Sequence, residues 1–206
     1  MLKLHWSPRS PFVRKVMVVI HETGLIDNIA LVRTVAAMST PNEMLMVDNP
    51  LSKIPTLVLD NGKSLFDSAV ICEYLDSLHN APSIFPKNGD SRWQALRWQA
   101  LGDGLMDLLI LWRNELERMA SQQLKTLLQA FDVKLQAVLE VLARETEELT
   151  SAPFGIGHAS IGCALGYLDF RFVDIDWRAE FPVLAEWYEH MKQRPSMSLT
   201  SPVPIA

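Results

Sequence analysis

The first part of the chain alternates short apolar runs, typical of strands, with longer segments whose apolar residues recur every three or four positions, typical of helices. The strand-like runs are LKLHW (2–6), NIALVRT (28–34) and the two halves of TLVLDNGKSLF (56–66). The helical patterns are those of residues 10–23 and 67–78, with a weaker one at 42–48. Asn61-Gly62 is a strong hairpin signal between the last two strands. The order β-α-β-α-β-β-α predicts a mixed sheet covered by helices over residues 1–80.

A different pattern follows a short segment rich in Pro, Ser, Asn and Gly, residues 81–88, which we interpret as a linker. Over residues 89–206 the apolar positions keep helical spacing, which predicts an all-α bundle. The predicted fold class is therefore an α/β half followed by an all-α half. Polar residues opposite the apolar stripe of the first long helix, such as Gln99 and Asp103, are expected to face solvent.

The composition is that of a globular protein, with 206 residues, 49% of them hydrophobic and 21% charged. A formal net charge of −5 argues against nucleic acid as a partner, because phosphate binding needs a basic face. No apolar run approaches the ~20 residues that cross a bilayer, and the N-terminus lacks the apolar core of a signal peptide. We therefore expect a cytoplasmic protein without a membrane partner. The histidine spacings predict no metal site, and the two cysteines form no C-x-x-C pair.

The stretch SPRSPFVRKV (7–16) begins the first predicted helix. Ser10 is a favourable N-cap, and Pro11 suits the first helical position. A hydroxyl at a helix N-terminus is a good place to hold an anion. Arg14 and Lys15 would add positive potential there, but we expect them to form a solvated face or a structural ion pair.

Several motifs occur in a characteristic order along nearly the full length: RSPFVRKV, NPLSKIPTL, LFDSAVICEYL, SIGCALGYLDF and RPSM. With these motifs the chain resembles the cytosolic glutathione S-transferase superfamily, and SPFVRK is most similar to its serine-type bacterial and theta-like branches. The resemblance implies a thioredoxin-like glutathione-binding domain (1–80), a linker (81–88) and an all-helical domain (89–206) that contributes the electrophile site. It also implies a homodimer, with glutathione as cosubstrate and no prosthetic group.

The resemblance implies a transferase that conjugates the thiol of glutathione to a small hydrophobic electrophile. A free thiol has a pKa near ~8.5, and the thiolate is the nucleophile. Ser10 would donate its O–H to the thiolate, aided by the positive end of the helix. Ser7, earlier in the same turn, is the alternative donor. The purely structural alternative is that Ser10 only caps the helix.

The resemblance also implies where glutathione binds. A cis Ile54–Pro55 peptide bond would expose the backbone of Ile54 to the cysteinyl amide, and Lys53 could hold the glycyl carboxylate. Asp67 would bind the γ-glutamyl ammonium, while the hydroxyl and N–H of Ser68 would bind its carboxylate. The structural alternatives are an exposed loop lysine at 53 and simple helix capping at 67–68.

The pocket for the electrophile is expected, from the same resemblance, to be lined by residues from the first turn and from the long helix near 90–118: Arg9, Phe12, Met106, Ile110 and Arg113. Two departures from the family pattern stand out. At the expected start of a later helix, Ser160 is followed by Cys163 instead of Asp, so half of a reciprocal cap is missing. The loop at 36–45 lacks a cation for the glycyl carboxylate, and Asn42 is the nearest substitute.

Two other functions remain open from the sequence. One is a binding module of the same fold that holds glutathione or a protein without turnover; retention of Ser10, Ile54-Pro55 and Asp67-Ser68 favours the enzyme. The other is a thiol-disulfide reductase, which would need a reactive cysteine at Cys72 or Cys163.

Overall fold

The computed structural model describes residues 1–80 and 82–203. The strands are β1 (Leu2–Trp6), β2 (Ile29–Arg33), β3 (Thr56–Val58) and β4 (Ser64–Leu65). The helices are α1 (Pro11–Glu22), α2 (Glu43–Asp48), α3 (Ser68–Asp76), α4 (Gly89–Leu116), α5 (Lys125–Arg144), α6 (Thr146–Ser151), α7 (Ile156–Arg171), α8 (Trp177–Glu180), α9 (Pro182–Gln193) and α10 (Pro195–Leu199). Ala81, at the start of the predicted linker, and residues 204–206, at the end of the predicted helical domain, lie outside the described residues.

The four strands form one mixed sheet in the order β2-β1-β3-β4. β1 runs parallel to β2 and antiparallel to β3, and β3 pairs with β4 in a hairpin. Gly62 adopts a φ of 80° in the connecting turn, a conformation that glycine tolerates without steric cost. The predicted mixed sheet and the predicted hairpin are therefore confirmed.

Helix α1 is buried between the sheet and the helical half of the chain. Val16 and Ile20 belong to the core beneath the sheet, whereas Val18 belongs to the core of the helical half. α1 packs against α3 on one side and α7 on the other. The turn before α1 therefore lies where the two halves of the protein meet.

Helix α4 packs closely along α7. A Cβ atom on Gly102 would lie only 2.6 Å from the backbone carbon of Ser160, so glycine is needed for this approach. Gln99 is 5% exposed, and Asp103 accepts hydrogen bonds from Lys15. The expectation that this face of α4 meets solvent is wrong for Gln99, which packs against α7, whereas Asp103 is partly exposed and Asp107 is exposed.

The expected helix start at Ser160 is also wrong. α7 begins at Ile156, after Gly155, and Ser160 lies inside the helix with its hydroxyl donating to Asp103. The reciprocal contact at the true start comes from His158, whose Nδ1 accepts from the Gly155 N–H at 3.2 Å. Cys163 takes no part in this cap.

Candidate functional site

The turn between β1 and α1 presents the two serines singled out in the sequence. Ser10 is the N-cap of α1, and its Oγ accepts a hydrogen bond from the Val13 N–H at 3.3 Å. Since a hydroxyl carries one donor and two acceptor sites, the Ser10 proton remains available to a ligand. The Oγ of Ser7 accepts from the Arg9 N–H at 3.5 Å and from Nη1 of Arg33 at 3.4 Å.

The two cations that follow in α1 are both buried. The Lys15 side chain has no exposed surface, and its Nζ donates to both carboxylate oxygens of Asp103 at 2.7 Å. Arg14 is 5% exposed, and its Nη2 donates to the Met197 carbonyl at 3.1 Å. The solvated-face expectation is wrong for both residues, whereas the structural ion pair is confirmed for Lys15.

The loop before β3 carries the Ile54–Pro55 bond, which is cis. The fully buried amide of Asn49 shapes this loop, since Nδ2 donates to the Lys53 carbonyl at 3.1 Å and to the Thr56 hydroxyl at 2.9 Å. The Lys53 side chain itself is exposed. The one signal for Asn49 in the sequence is the turn-forming Asn-Pro pair that it begins, and this pair does not predict the contacts of its amide.

Helix α3 begins beside this loop with the Asp67-Ser68 pair. Oδ1 of Asp67 accepts from the Ala69 N–H at 2.9 Å, and Asp67 is exposed while Ser68 is buried. Asp107 of α4 lies within electrostatic range of both binding-site candidates: partial burial raises the pKa of its carboxyl, Lys53 opposes the rise, and Asp67 adds to it. The charges of Lys53 and Asp67 therefore both act on this carboxyl of α4.

Asn42 is already engaged within its own loop. Its Oδ1 caps α2 by accepting from the Leu45 N–H at 3.2 Å, and its Nδ2 donates to the Val35 carbonyl at 2.9 Å. Asn42 therefore has a structural role, because both ends of its amide are used within the loop and at the start of α2.

Comparison with known proteins identifies the family to which this architecture belongs. The family model for the glutathione S-transferase N-terminal domain matches residues 9–78, and that for the C-terminal domain matches residues 116–190. An uncharacterized GST-like protein of Escherichia coli, YibF, is 31% identical over 203 residues, which are 98% of this chain and 98% of that protein. The chain belongs to the glutathione S-transferase family.

Two solved structures of glutathione transferase family members from Pseudomonas fluorescens Pf-5 extend the likeness. One, with bound glutathione, superposes with a TM-score of 0.96 at 45% identity, covering 100% of both chains. The other, with bound S-(propanoic acid)-glutathione, has a TM-score of 0.92 at 43% identity, covering 98% of this chain and 100% of that one. The thioredoxin-like and helical halves predicted from the sequence are thus those of a glutathione transferase.

A narrow cavity, with no room for a water molecule, lies beside Ser10 between the β1–α1 turn and α7. Its lining includes Pro8, Arg9, Ser10, Arg14, Tyr167 and Pro202. Of the residues expected to line the electrophile pocket, Arg9 reaches this cavity directly. Arg113 joins it through Tyr167, because Nη1 of Arg113 donates to the Tyr167 hydroxyl at 3.2 Å. Tyr167 and Pro202 could not be predicted, because neither carries a local signal beyond an apolar or turn position.

The other three expected pocket residues lie elsewhere. Met106 has no exposed surface and packs in the core of the helical half, so it does not fit a pocket-lining role. Phe12 and Ile110 are half-buried and pack against the same core, outside the lining of the cavity. The spacing on α4 was compatible with a pocket face, but α7 covers that part of the helix.

Both cysteines are buried, and burial raises the pKa of the Cys72 thiol to about 12 and that of Cys163 to about 11. Neither is a reactive thiolate, so the structure gives the reductase alternative no nucleophile. Over residues 1–80 and 82–203, no group of three His, Cys, Asp or Glu side chains is placed to hold a metal ion. Within the same residues no helix combines the length and apolarity needed to cross a membrane.

Proposed function

We propose that the protein conjugates glutathione to a small electrophile, with the Ser10 hydroxyl stabilising the thiolate. The thiolate sulfur forms a bond to an electrophilic carbon, and the leaving group departs with the electron pair of the bond that breaks. The thiol proton passes to solvent before the attack. The protein's task is to favour the thiolate over the thiol near neutral pH.

The position of Ser10 carries this proposal. Its oxygen is occupied by the Val13 N–H, so its own proton is free to point away from the helix. The N-terminus of α1 adds a positive electrostatic potential at the same point, which favours an anion. Ser7 also keeps its proton, because its oxygen only accepts from Arg9 and Arg33, but it lies before the N-cap of α1 and gains less from the helix N-terminus.

Glutathione would lie along the edge formed by the β3 loop and the start of α3. The backbone of Ile54, before Pro55, would pair with the cysteinyl amide. Asp67 would bind the γ-glutamyl ammonium, Ser68 its carboxylate, and Lys53 the glycyl carboxylate. The charges support this arrangement, since exposed Asp67 can pair with the ammonium of the γ-glutamyl group and exposed Lys53 with the glycyl carboxylate.

The relatives support both the cosubstrate and the reaction. The Pseudomonas fluorescens family members bind glutathione and S-(propanoic acid)-glutathione. The second ligand is a thioether of glutathione, the kind of product that thiolate conjugation forms. The homodimer and the cytoplasmic location implied by the family resemblance stay predictions.

The proposal is tested by the rate at which free thiol disappears from a mixture of glutathione and iodoacetamide, after the uncatalysed rate is subtracted. We expect Ser10→Ala to lower kcat/KM about 100-fold, the effect of removing one donor from a developing or stabilised anion. Asp176→Ala is the matched control, because it removes the cap of the distant helix α8 and leaves the cleft intact.

Three outcomes separate the alternatives. If Ser7→Ala abolishes turnover and Ser10→Ala does not, the donor is Ser7. If the wild-type protein binds glutathione in calorimetry but never exceeds the uncatalysed rate, it is a binding module. If Ser10→Ala and Asp176→Ala lose equal activity, Ser10 acts only as a cap.

A further inference from the structure

His5 lies in the interior strand β1, on the face of the sheet opposite α1. Leu2 and Leu4 of this strand belong to the core that α1 shares, and the alternation of side chains places Lys3 and His5 on the other face, toward α2. A strand that is covered on both faces usually carries apolar residues on both. A histidine that is only 6% exposed at this position therefore needs a reason beyond packing.

Both ring nitrogens of His5 are engaged, each by a different segment of the chain. Nε2 lies 2.8 Å from Oδ2 of Asp48, the last residue of α2, and Nδ1 lies 2.8 Å from the hydroxyl of Thr34, which follows β2. Hydrogen bonds from Lys3 and His5 lower the pKa of Asp48, so its carboxylate is an acceptor and Nε2 is the donor. The His5 ring therefore connects the end of α2 to the end of β2.

His5 also lies close to the edge of the sheet at which Ser10 is found. Since β1 and β2 are parallel, the turn that carries Ser10 and the loop that follows Thr34 leave the sheet at the same edge. β3 is antiparallel to β1 and begins at this edge with Thr56, which pairs directly with His5. Three segments that include proposed glutathione-binding residues or adjoin them thus meet around this histidine.

The Ile54–Pro55 loop is built on the same polar layer. The end of α2, which His5 holds, is followed directly by Asn49, whose amide donates to the Lys53 carbonyl and to the Thr56 hydroxyl. The Thr56 hydroxyl donates in turn to the Lys53 carbonyl at 2.8 Å. A displacement of the end of α2 would therefore move Asn49 and, with it, the backbone that precedes Ile54.

We propose that His5 is a positioning residue for glutathione: it fixes the end of α2 and thereby holds the Ile54–Pro55 loop in the conformation that receives the cysteinyl amide. This inference rests on the proposed glutathione site and adds a residue that does not touch the ligand. Without the ring, glutathione binding would also have to order the loop, which reduces the apparent affinity. The cost should fall on binding and not on the chemistry at Ser10.

His5→Leu removes both contacts and leaves each partner another one. Asp48 keeps the ammonium of Lys3 at 2.9 Å, and the Thr34 hydroxyl keeps the Val32 carbonyl at 3.0 Å as its acceptor. The variant should therefore fold, which far-UV circular dichroism and thermal unfolding check.

The measurements are the Kd for glutathione by calorimetry and the kcat with glutathione and iodoacetamide. We expect His5→Leu to raise the Kd about tenfold, the factor that corresponds to one lost hydrogen bond to a charged group. The kcat should be nearly unchanged, because saturating glutathione restores the ordered loop. His190→Leu makes the same substitution on the exposed surface of α9 and should bind glutathione like the wild type.

Two conservative variants separate the two contacts. The longer amide of His5→Gln can replace Nε2 as the donor to Asp48, whereas the shorter amide of His5→Asn extends only as far as Nδ1 and loses Asp48. We expect His5→Gln to recover most of the wild-type affinity and His5→Asn to bind as weakly as His5→Leu. This comparison decides the question by itself if His5→Leu fails to fold.

The outcomes distinguish this inference from the proposed function. If the wild type binds glutathione and His5→Leu binds it equally well, the positioning role is wrong and the proposed function stands. Equal losses of affinity in the Leu, Asn and Gln variants would also overturn the role, because a donor to Asp48 would then be irrelevant. If the wild type binds no glutathione, the proposed function fails and this inference fails with it.

Discussion

The ion pair between Lys15 and Asp103 joins the sheet half of the protein to its helical half. Lys15 has no exposed surface, whereas the Asp103 side chain is 22% exposed. Nζ of Lys15 donates to both oxygens of Asp103 at 2.7 Å, and the Ser160 hydroxyl donates to Oδ1 of the same carboxylate. Three helices, α1, α4 and α7, therefore share one buried polar contact.

The difference in exposure makes the two partners unequal. Asp103→Ala leaves the Lys15 ammonium buried without a partner, which should lower the free energy of unfolding by about 3–5 kcal/mol. Lys15→Met leaves a carboxylate that still has Ser160 and access to water, so its cost should be about 1–3 kcal/mol. The double variant should be more stable than Asp103→Ala alone, since it removes the unpaired charge.

Urea unfolding of the four proteins, followed by tryptophan fluorescence and far-UV circular dichroism, measures this cycle. A cost below about 1 kcal/mol for Asp103→Ala would refute the reasoning, because a fully buried ammonium cannot lose its partner so cheaply. Strict additivity of the two single costs would refute it as well, since residues in direct contact should couple.

Three further predictions follow from packing and burial. In thermal unfolding, Gly102→Ala should destabilise the protein by about 1–3 kcal/mol, because the new Cβ would meet the α7 backbone at 2.6 Å. Gly104→Ala places its Cβ in open space and should stabilise the protein by about 0.5–1 kcal/mol. Burial lowers the pKa of His158 below its ordinary 6.5, so the unfolded chain binds that proton first as the pH falls. The free energy of unfolding should therefore decrease between about pH 7 and 5, and His158→Gln should flatten that slope by at most ~1.4 kcal/mol per pH unit. A slope that His158→Gln leaves unchanged would contradict this prediction. With thiol pKa values of about 12 and about 11, Cys72 and Cys163 should react with a thiol-specific disulfide reagent at pH ~8 only after unfolding, and fast labelling of the native protein would show that burial does not protect them.

The elements that could be predicted are those whose signals lie within a few residues. Ser10 and Pro11 mark the start of α1 through side-chain capping and a preset φ angle. Asn61-Gly62 marks the β3–β4 turn because Gly62 adopts a positive φ. The mixed sheet and the following bundle then follow from the order of strands and helices.

The features that could not be predicted depend on how the two halves pack. Lys15 and Arg14 belong to an amphipathic pattern that equally fits a surface helix, and only the docking of α7 and α4 buries them. Met106 has the spacing of a pocket residue, but the same docking covers it. The start of α7 was misplaced because Gly155 lacks a capping side chain, and the contact from His158 has no simple sequence signature.

The site was predicted only in part for the same reason, because its residues meet only when the two halves of the protein pack together. Arg9 and Ser10 are adjacent in the chain and could be grouped from the first turn alone. Tyr167 joins them from α7, and its hydroxyl accepts a hydrogen bond from Arg113 of α4. Such a group forms only through tertiary contacts, so one sequence offers no period or motif that reveals it.

The measurement that tests the central claim most directly is the ultraviolet difference absorbance of the glutathione thiolate bound to the protein, recorded as a function of pH. With wild-type protein the bound thiol should ionise well below its free pKa of ~8.5, and Ser10→Ala should return the transition most of the way to that value. Bound glutathione that titrates near ~8.5 in both proteins would contradict the assignment of Ser10 and of thiolate activation to this site.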